Sequence, residues 1–197
     1  MSHSVLIDTA CARLVTKRRN LCYDSIQMTR PQPNEAASYY FKYIDLVTSE
    51  DIVPVFESQM GETLRFLQGI SEEQSLKSYA PGKWTIREVL NHVNDGERVF
   101  LGRAVWFARG FQDPLPSFEQ DVAVQAAQAN RTAWADLVEE FRTVRLGTLS
   151  FFKNLPEDAW MRTGVASDNP FTVRSVAYII AGHVTHHVQV LKEKYGI

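Results

Sequence analysis

Apolar residues recur with helical spacing along most of the chain, and they fall into four long segments separated by loops. The predicted helices cover residues 52–67, 85–108, 121–154 and 172–195, and residues 163–170 are expected to form a loop. No run of alternating Val, Ile and Thr between turn residues predicts a strand. Because an amphipathic helix must bury its apolar face against a neighbour, the sequence predicts an all-α fold, a four-helix bundle.

Local signals at the helix ends support this interpretation. Thr85 is followed three residues later by Glu88, which is the pattern of a capping box, and Thr172 is the expected cap of the last helix. Gly196 follows that helix, where glycine commonly ends one. A shorter helix capped by Asn34 is also predicted, and its apolar and aromatic residues are Tyr39, Tyr40, Tyr43, Ile44 and Val47.

The start of the chain does not continue the pattern of the bundle. Met28 stands directly before the polar and Pro-rich stretch that leads into the first predicted helix. We therefore predict two parts: residues 1–30 are a poorly ordered N-terminal extension, and residues 31–197 form one domain. The alternative is that the extension forms a short additional helix that packs on the bundle.

Composition excludes several classes of protein. The net charge of -2 over 197 residues provides no basic field for nucleic acid. No apolar run approaches the roughly 20 residues that span a bilayer, and the first residues lack the order of a signal peptide. The two cysteines, Cys11 and Cys22, form neither a disulfide framework nor a zinc-knuckle spacing, so a cytoplasmic location is expected.

Four of the five histidines fall in two predicted helices. His92 lies in the predicted helix over residues 85–108, and His183, His186 and His187 lie in the one over residues 172–195. His183 and His187 are four residues apart, so they lie on one face of the last helix, together with apolar residues that point inward. His186 lies about 100° around the helix from His187. His186 is therefore not expected to bind the same ion as His183 and His187.

Two buried imidazoles at this spacing need partners for their ring nitrogens, and a metal ion provides one. His92 is the candidate third ligand because it lies on an inward stripe on which Gly96, one turn away, leaves room. His92, His183 and His187 thus predict an open divalent-metal site with free positions for water or substrate. Spacing alone leaves a second interpretation, in which these are core histidines with protein partners.

The neighbouring acidic and aromatic residues have simpler interpretations. Asp95 and Glu97 are interpreted as part of a solvated helix face, with a supporting role for Asp95 as the alternative. Asp121 is expected to help start the third long helix. Trp84 and Trp160 are interpreted as packing residues. The tyrosines of the first predicted helix form an amphipathic contact face, which a second subunit is one candidate to cover.

Two segments resemble a known family. Residues 81–92, Pro-Gly-Lys-Trp-Thr-Ile-Arg-Glu-Val-Leu-Asn-His, are followed by Asp-x-Glu-Arg-Val-Phe at 95–100, and together they resemble the second helix of the DinB-like proteins of the DinB/YfiT type. Residues 180–196, with the run His-Val-Thr-His-His, are similar to the last helix of that family. The resemblance covers residues 34–196.

This resemblance implies a four-helix bundle with up-down-down-up connections, often dimeric. It also implies a divalent metal ion, zinc or nickel, which in this sequence would be held by His92, His183 and His187. Relatives of this type include transferases that use low-molecular-weight thiols, a mycothiol-dependent isomerase and proteins labelled as metal-dependent hydrolases.

The expected function is a metal-dependent transferase that joins a low-molecular-weight thiol to small electrophiles. An ion held by three neutral imidazoles keeps its full charge and lowers the pKa of a bound thiol or water. The alternatives are hydrolysis of a small substrate and a non-catalytic, metal-binding stress-response module. No residue is identified from the sequence as the general base. The expected partners are a small-molecule substrate and, as a homodimer, a second copy of the chain.

Overall fold

The computed structural model describes residues 29–197, so the predicted extension lies almost wholly outside the described residues. The helices are α1 (Phe41–Ile44), α2 (Ile52–Gln68), α3 (Glu72–Ser75), α4 (Ile86–Ala108), α5 (Gln120–Ala127), α6 (Trp134–Lys153) and α7 (Val173–Tyr195). Short 3-10 helices span Ser38–Tyr40, Ala129–Arg131 and Glu157–Ala159, and the strands are β1 (Thr163–Ala166) and β2 (Asn169–Thr172).

The four long helices form the predicted bundle, in which α4 and α2 each pack against both α6 and α7. Helix α4 runs parallel to α6 and antiparallel to α7, while α2 runs antiparallel to α6, so the chain directions are up, down, down, up. The contacts that fix these directions are Asn94 with Leu137, Glu97 with Arg145, Trp84 with Tyr195, His92 with His183, Leu67 with Trp134 and Gln59 with Arg145.

The predicted first helix is shorter than the sequence indicated. Asn34 does not cap it, because the chain around it forms a turn and the helical segment begins only at Ser38. The preceding residues are held by tertiary contacts instead: the Glu35 carbonyl accepts the Thr172 amide at 3.1 Å, and the Glu35 carboxylate pairs with Arg174. This segment therefore anchors the start of α7.

The predicted helix over residues 121–154 is two helices rather than one. Gln128 adopts a left-handed conformation (φ 51°), which ends α5, and α6 begins only at Trp134. Between them, the carbonyl oxygens of Asn130 and Thr132 accept hydrogen bonds from the Arg87 guanidinium at 3.2 and 2.6 Å. Those carbonyls are therefore used by a tertiary contact instead of a helical one.

The expected loop at residues 163–170 is wrong, because β1 and β2 form an antiparallel hairpin there. The fold is therefore mostly helical, as predicted, with one small two-stranded sheet in addition. Its turn contains Ser167 and Asp168, both with positive φ (50° and 59°), as a two-residue hairpin turn of the primed type requires. Leu115 extends the hairpin by hydrogen bonds to Val165 and Ser167. The hairpin thus packs between the loop before α5 and the start of α7.

No helix of residues 29–197 is long and apolar enough to cross a membrane. The core of the bundle has two apolar clusters, one around α1 and the first half of α7, the other around the start of α4 and the first half of α6. The predicted packing role of Trp160 agrees with its stacking on Phe152, at 5.4 Å between ring centroids. The histidines lie where the two clusters meet along α4 and α7.

Candidate metal centre

Two capped helices carry the three histidines. Thr85 accepts the amide of Glu88 and the Glu88 carboxylate accepts the Thr85 amide, which confirms the predicted capping box of α4. Thr172 and Ser175 form the equivalent arrangement at the start of α7. Since both helices have fixed starts and pack antiparallel, the first half of α4, with His92, faces the middle and second half of α7, with His183 and His187.

The Nε2 atoms of the three histidines converge on one point. His183 Nε2 lies 3.1 Å from His92 Nε2 and 3.1 Å from His187 Nε2, and the three ligand atoms all lie within 4.8 Å of one another. Imidazole nitrogens bound at about 2.0–2.1 Å to one ion are separated by roughly 3.0–3.4 Å. The two measured separations fall in that range, so the group could hold a metal ion.

Burial keeps these imidazoles neutral. His92 and His183 are 5% and 4% exposed. Burial lowers the pKa of His92 to about 4, although the negative charge of Asp121 opposes this. Burial and the neighbouring histidines also hold the pKa of His183 and of His187 well below the ordinary value. Neutral rings at neutral pH leave lone pairs free to act as ligands.

The ring nitrogens are not all satisfied by protein groups. Three converging Nε2 atoms cannot all be hydrogen-bonded to one another, because one imidazole nitrogen carries at most one proton. A cation at this point would accept all three lone pairs, which is why the donor set fits a divalent ion. Within residues 29–197, the buried Nδ1 atoms of His92 and His187 have no hydrogen-bond partner. For His92 and His187, residues 29–197 therefore supply no outer acceptor of the kind that usually orients a metal-bound histidine.

Aromatic packing orients the rings instead. The Trp84 ring lies 5.1 Å from the His92 ring, and the Tyr43 ring lies edge-on to His183 at 5.3 Å. Trp84 thus packs as predicted, with the metal-site histidine as its neighbour. Tyr43 is buried, and burial raises its phenol pKa above the ordinary value.

Two glycines let the helices approach closely at this level. A Cβ atom on Gly96 would lie 2.9 Å from His183 Cε1, which confirms that Gly96 leaves room for the ring. A Cβ on Gly182 would overlap the carbonyl group of Tyr43, so glycine allows α1 to pack against α7 beside His183. Both positions therefore set the distance of neighbouring elements from the histidine cluster.

Residues that the sequence placed near the cluster lie outside it. His186 contacts the Tyr43 ring at 5.4 Å and does not belong to the converging group. Asp95 accepts hydrogen bonds from Asn91 and Arg98. Neither side chain fills a fourth ligand position.

The interpretation of Glu97 as part of a solvated face is wrong. Its carboxylate is buried against α6, where Arg145 donates to it at 2.8 Å and the Thr148 hydroxyl at 2.7 Å. This pair could not be predicted from local sequence, because its members are 48 residues apart. A buried ion pair thus lies on α4 directly beside the histidine face.

The three tyrosines of the predicted contact face, Tyr39, Tyr40 and Tyr43, have different environments. All three tyrosines line a cavity beside the histidine cluster, but only Tyr43 contacts the His183 ring, and Tyr39 is 60% exposed. Intramolecular packing therefore accounts for much of the face that was assigned to a second subunit.

Two cavities border the histidine cluster from different sides. The first, of about 110 Å³, is reached by His92 and His183 and has largely aromatic walls. The second, of about 280 Å³, is reached by His187 and is also lined by Trp84 and Asp121. Asp121 lies in the first turn of α5, as expected, and additionally contributes a carboxylate to this wall.

Arg103 is a cavity residue that the sequence reasoning missed. It lies on the first cavity with Gly96 and Val99. A signal was present, since the inward stripe of His92, Gly96 and Val99 continues at helical spacing to position 103. Following the stripe for one more turn would have identified it.

Comparison with known proteins identifies the family and agrees with the fold. Residues 56–191 match the family model of the DinB superfamily. This chain belongs to the DinB superfamily. Comparison with curated proteins finds no match.

Two solved structures resemble this DinB-superfamily protein. One is YfiT from Bacillus subtilis, described as a probable metal-dependent hydrolase with an unusual four-helix bundle topology. Its sequence is 14% identical to this chain, and the two structures align with a TM-score of 0.63. The alignment covers 87% of this chain and 95% of YfiT. The other is the mycothiol-dependent maleylpyruvate isomerase, with 15% identity and a TM-score of 0.59, over 74% of this chain. This chain spans 61% of the isomerase. At these identities the likeness establishes the shared fold.

Proposed function

We propose that this DinB-superfamily protein is a metal-dependent transferase that joins a low-molecular-weight thiol to a small electrophile. The ligands of the ion would be His92, His183 and His187. The observation that carries this proposal is the position of the cluster between two separate cavities. A transferase needs two reactants at one centre, and two cavities allow each to approach from its own side.

The chain would contribute position and environment to this reaction. A divalent ion bound here would lower the pKa of a coordinated thiol, so that it becomes a nucleophile near neutral pH. The three neutral rings add no negative charge, and their burial limits access of water. The aromatic side chains Tyr40, Tyr43 and Phe100 enclose the first cavity beside the ligands.

Zinc or nickel is the proposed ion, since imidazole ligands suit both metals. A cellular thiol as substrate also agrees with the proposed cytoplasmic location. The proposed homodimer can be tested separately, by measuring the mass of the protein in solution.

The test of the transferase proposal is adduct formation. Full-length protein loaded with zinc or with nickel is incubated with a chlorinated aromatic and each of several cellular thiols, including mycothiol. We expect adduct formation that depends on the ion and that falls to background in His92→Ala. His186→Ala is the matched control, because it removes a histidine of α7 outside the cluster. If no thiol gives adduct above the His92→Ala background, the transferase proposal is wrong.

A metal-dependent hydrolase is the second candidate, and Asp121 favours it. This carboxylate lines the second cavity with His187, and its charge acts on His92. A carboxylate at that place could accept a proton from an attacking water. If esters or amides are hydrolysed, Asp121→Asn should lower the rate while metal content is unchanged. An equal loss of thiol transfer and hydrolysis in this variant would contradict the specific role.

A structural ion in a non-catalytic module is the third candidate. It would need a closed coordination sphere, yet within residues 29–197 no fourth His, Cys, Asp or Glu joins the cluster. Chelation distinguishes the cases: a structural ion predicts unfolding when the metal is removed, and a catalytic ion predicts a folded metal-free protein.

A further inference from the structure

The described part of the chain contains four buried arginines, and one of them differs from the rest. Arg87, Arg145 and Arg174 each form an ion pair with a glutamate. Arg103 is 5% exposed and forms no ion pair with any carboxylate of residues 29–197. A buried charge without a counter-charge is costly, so the position of Arg103 needs an explanation.

Neutral groups hold the Arg103 guanidinium in place. One of its amino groups, Nη2, donates to the Pro116 carbonyl at 3.1 Å and to the Ser167 hydroxyl at 2.9 Å. The Phe100 ring lies 5.5 Å below the guanidinium carbon. Burial lowers the pKa of Arg103, an effect that Tyr40 partly opposes. These contacts orient the side chain without neutralising its charge.

Arg103 shares a cavity with the histidine cluster. The walls of the first cavity include Arg103 and Ser167 together with His92 and His183. No other Lys or Arg lines this cavity among the described residues. Since Nη2 already donates both of its hydrogens, Arg103 offers one positive charge and the hydrogens of Nε and Nη1, which suits one carboxylate.

We propose that Arg103 binds the carboxylate of a small, singly charged substrate whose remaining atoms lie between the aromatic walls and the histidine cluster. This inference deepens the proposed function, on which it rests, by naming the class of substrate. The cavity of about 110 Å³ holds roughly eight heavy atoms, since each water-sized group takes about 10–15 Å³. Aromatic walls favour a flat or apolar body attached to the carboxylate.

The test compares probes that differ in charge and hardly in shape. Benzoate and benzamide, and propionate and propionamide, are titrated into full-length, metal-loaded protein, with binding measured by calorimetry. We expect the wild type to bind each carboxylate about 10-fold or more tightly than its amide. In Arg103→Met the preference should fall below about 2-fold, and in Arg103→Lys it should be intermediate, because the positive charge remains but sits on an ammonium group that lacks the planar geometry of the guanidinium.

Two further variants separate this inference from the metal proposal. Arg98→Met is the matched control: Arg98 lies on the same helix, is partly exposed and is already paired with Asp95 and Glu140, so its loss should leave the preference unchanged. His187→Ala removes one proposed ligand without altering the walls of the first cavity. We expect this variant to lose metal and to keep the preference for carboxylates.

The opposite outcomes have clear meanings. If no carboxylate binds more tightly than its amide, or if Arg103→Met retains the preference while His187→Ala loses it, the inference about Arg103 is overturned. If wild-type protein binds no divalent ion and still prefers carboxylates through Arg103, the proposed metal function fails and the anion site stands. Melting temperatures of all variants show whether each remains folded.

Discussion

Helix α4 carries buried polar residues on two neighbouring faces, and the two faces differ in the partners that the rest of the chain provides for these residues. Towards α6, the Glu97 carboxylate accepts hydrogen bonds from Arg145 and Thr148, so its negative charge is matched within the chain, although Arg145 Nε lacks a hydrogen-bond partner among residues 29–197. Towards α7, His92 Nδ1 also lacks a partner, and the ring faces a cavity lined by Arg103, which has no carboxylate beside it. Neither burial nor one missing hydrogen bond therefore separates a structural polar group from a functional one. The two faces differ in whether each charge has its counter-charge in the described chain and in whether the groups border a cavity.

The matched face should show the largest effect on stability. Glu97→Ala leaves Arg145 buried without its carboxylate, and we expect the free energy of unfolding to fall by about 3–5 kcal/mol. Chemical denaturation measures this change. In the double variant Glu97→Leu with Arg145→Met, much of the stability should return, because neither charge remains. If the single variant is as stable as the wild type, the network is not a structural element.

The histidine face should show its largest effect on metal binding. Loss of a supporting residue around a metal site already weakens affinity by about 10–100-fold, so His183→Ala should weaken it by roughly 100-fold or more. Isothermal titration with zinc and nickel measures the change. Without metal, His183→Ala should not lower the free energy of unfolding as much as Glu97→Ala does. Removal of His183 leaves no buried charge without its counter-charge, because His183 forms no ion pair among residues 29–197. Unchanged metal affinity in His183→Ala would contradict the assignment of the ligands.

The ion pair of Glu35 and Arg174 should make the free energy of unfolding depend on pH. Burial raises the pKa of Glu35, but hydrogen bonds from Arg174, Gln32 and Thr172 outweigh it, so the pKa lies below the ordinary value of 4.5. The Glu35 carboxyl therefore loses its proton more readily in the folded protein than in the unfolded chain. Ionised Glu35 stabilises the fold above pH 4.5, and this stabilisation is lost as the pH falls through the pKa of Glu35 in the folded state. Glu35→Gln should lower the free energy of unfolding at neutral pH by roughly 1–3 kcal/mol. It should also flatten the pH dependence below 4.5, as measured by denaturation at several pH values.

Gly96 tests how closely the histidine face depends on packing. In Gly96→Ala the new Cβ would lie 2.9 Å from the His183 ring, so the ring must shift and metal affinity should fall by about 10-fold. Gly102→Ala is the control on the same helix, because a Cβ there meets nothing within 4 Å. That variant should be more stable by up to about 1 kcal/mol, since alanine favours helix. Equal metal affinities in the two variants would show that the ring tolerates displacement.

The smallest effect is expected at His186. This residue lies on α7 beside His187 but outside the converging group, so His186→Ala should change metal affinity by less than about 2-fold. The same titration that is used for His183→Ala measures it. A loss comparable to that of His183→Ala would require a cluster of four histidines.

The sequence predicted the histidine face because its signals are local. His183 and His187 are one turn apart, and the stripe through His92 and Gly96 follows the same helical period, so each helix could be interpreted without the other. The pair Glu97–Arg145 could not be found in this way, because it forms only when α4 and α6 meet. Nothing in the residues next to Glu97 distinguishes a buried carboxylate from an exposed one.

The errors in the fold have similar causes. The hairpin was missed because its strands contain Gly164, Asn169 and Pro170, residue types that usually indicate a loop. The break between α5 and α6 was missed because Gln128 is an ordinary helix former, so its left-handed conformation has no local signal in the sequence. Periodicity therefore predicted that the long helices exist, but not where one of them is interrupted.

The hairpin turn contributes Ser167 to the proposed carboxylate site, although the three histidines all come from helices. Ser167, which helps to hold the Arg103 guanidinium, therefore belongs to a part of the chain separate from the three proposed ligands, although Arg103 itself lies on α4 with His92. Exchange of the four residues from Ala166 to Asn169 would alter recognition without replacing any proposed ligand. In this chain the turn between β1 and β2 is therefore a place where the proposed substrate preference could change while the three proposed ligands stay the same.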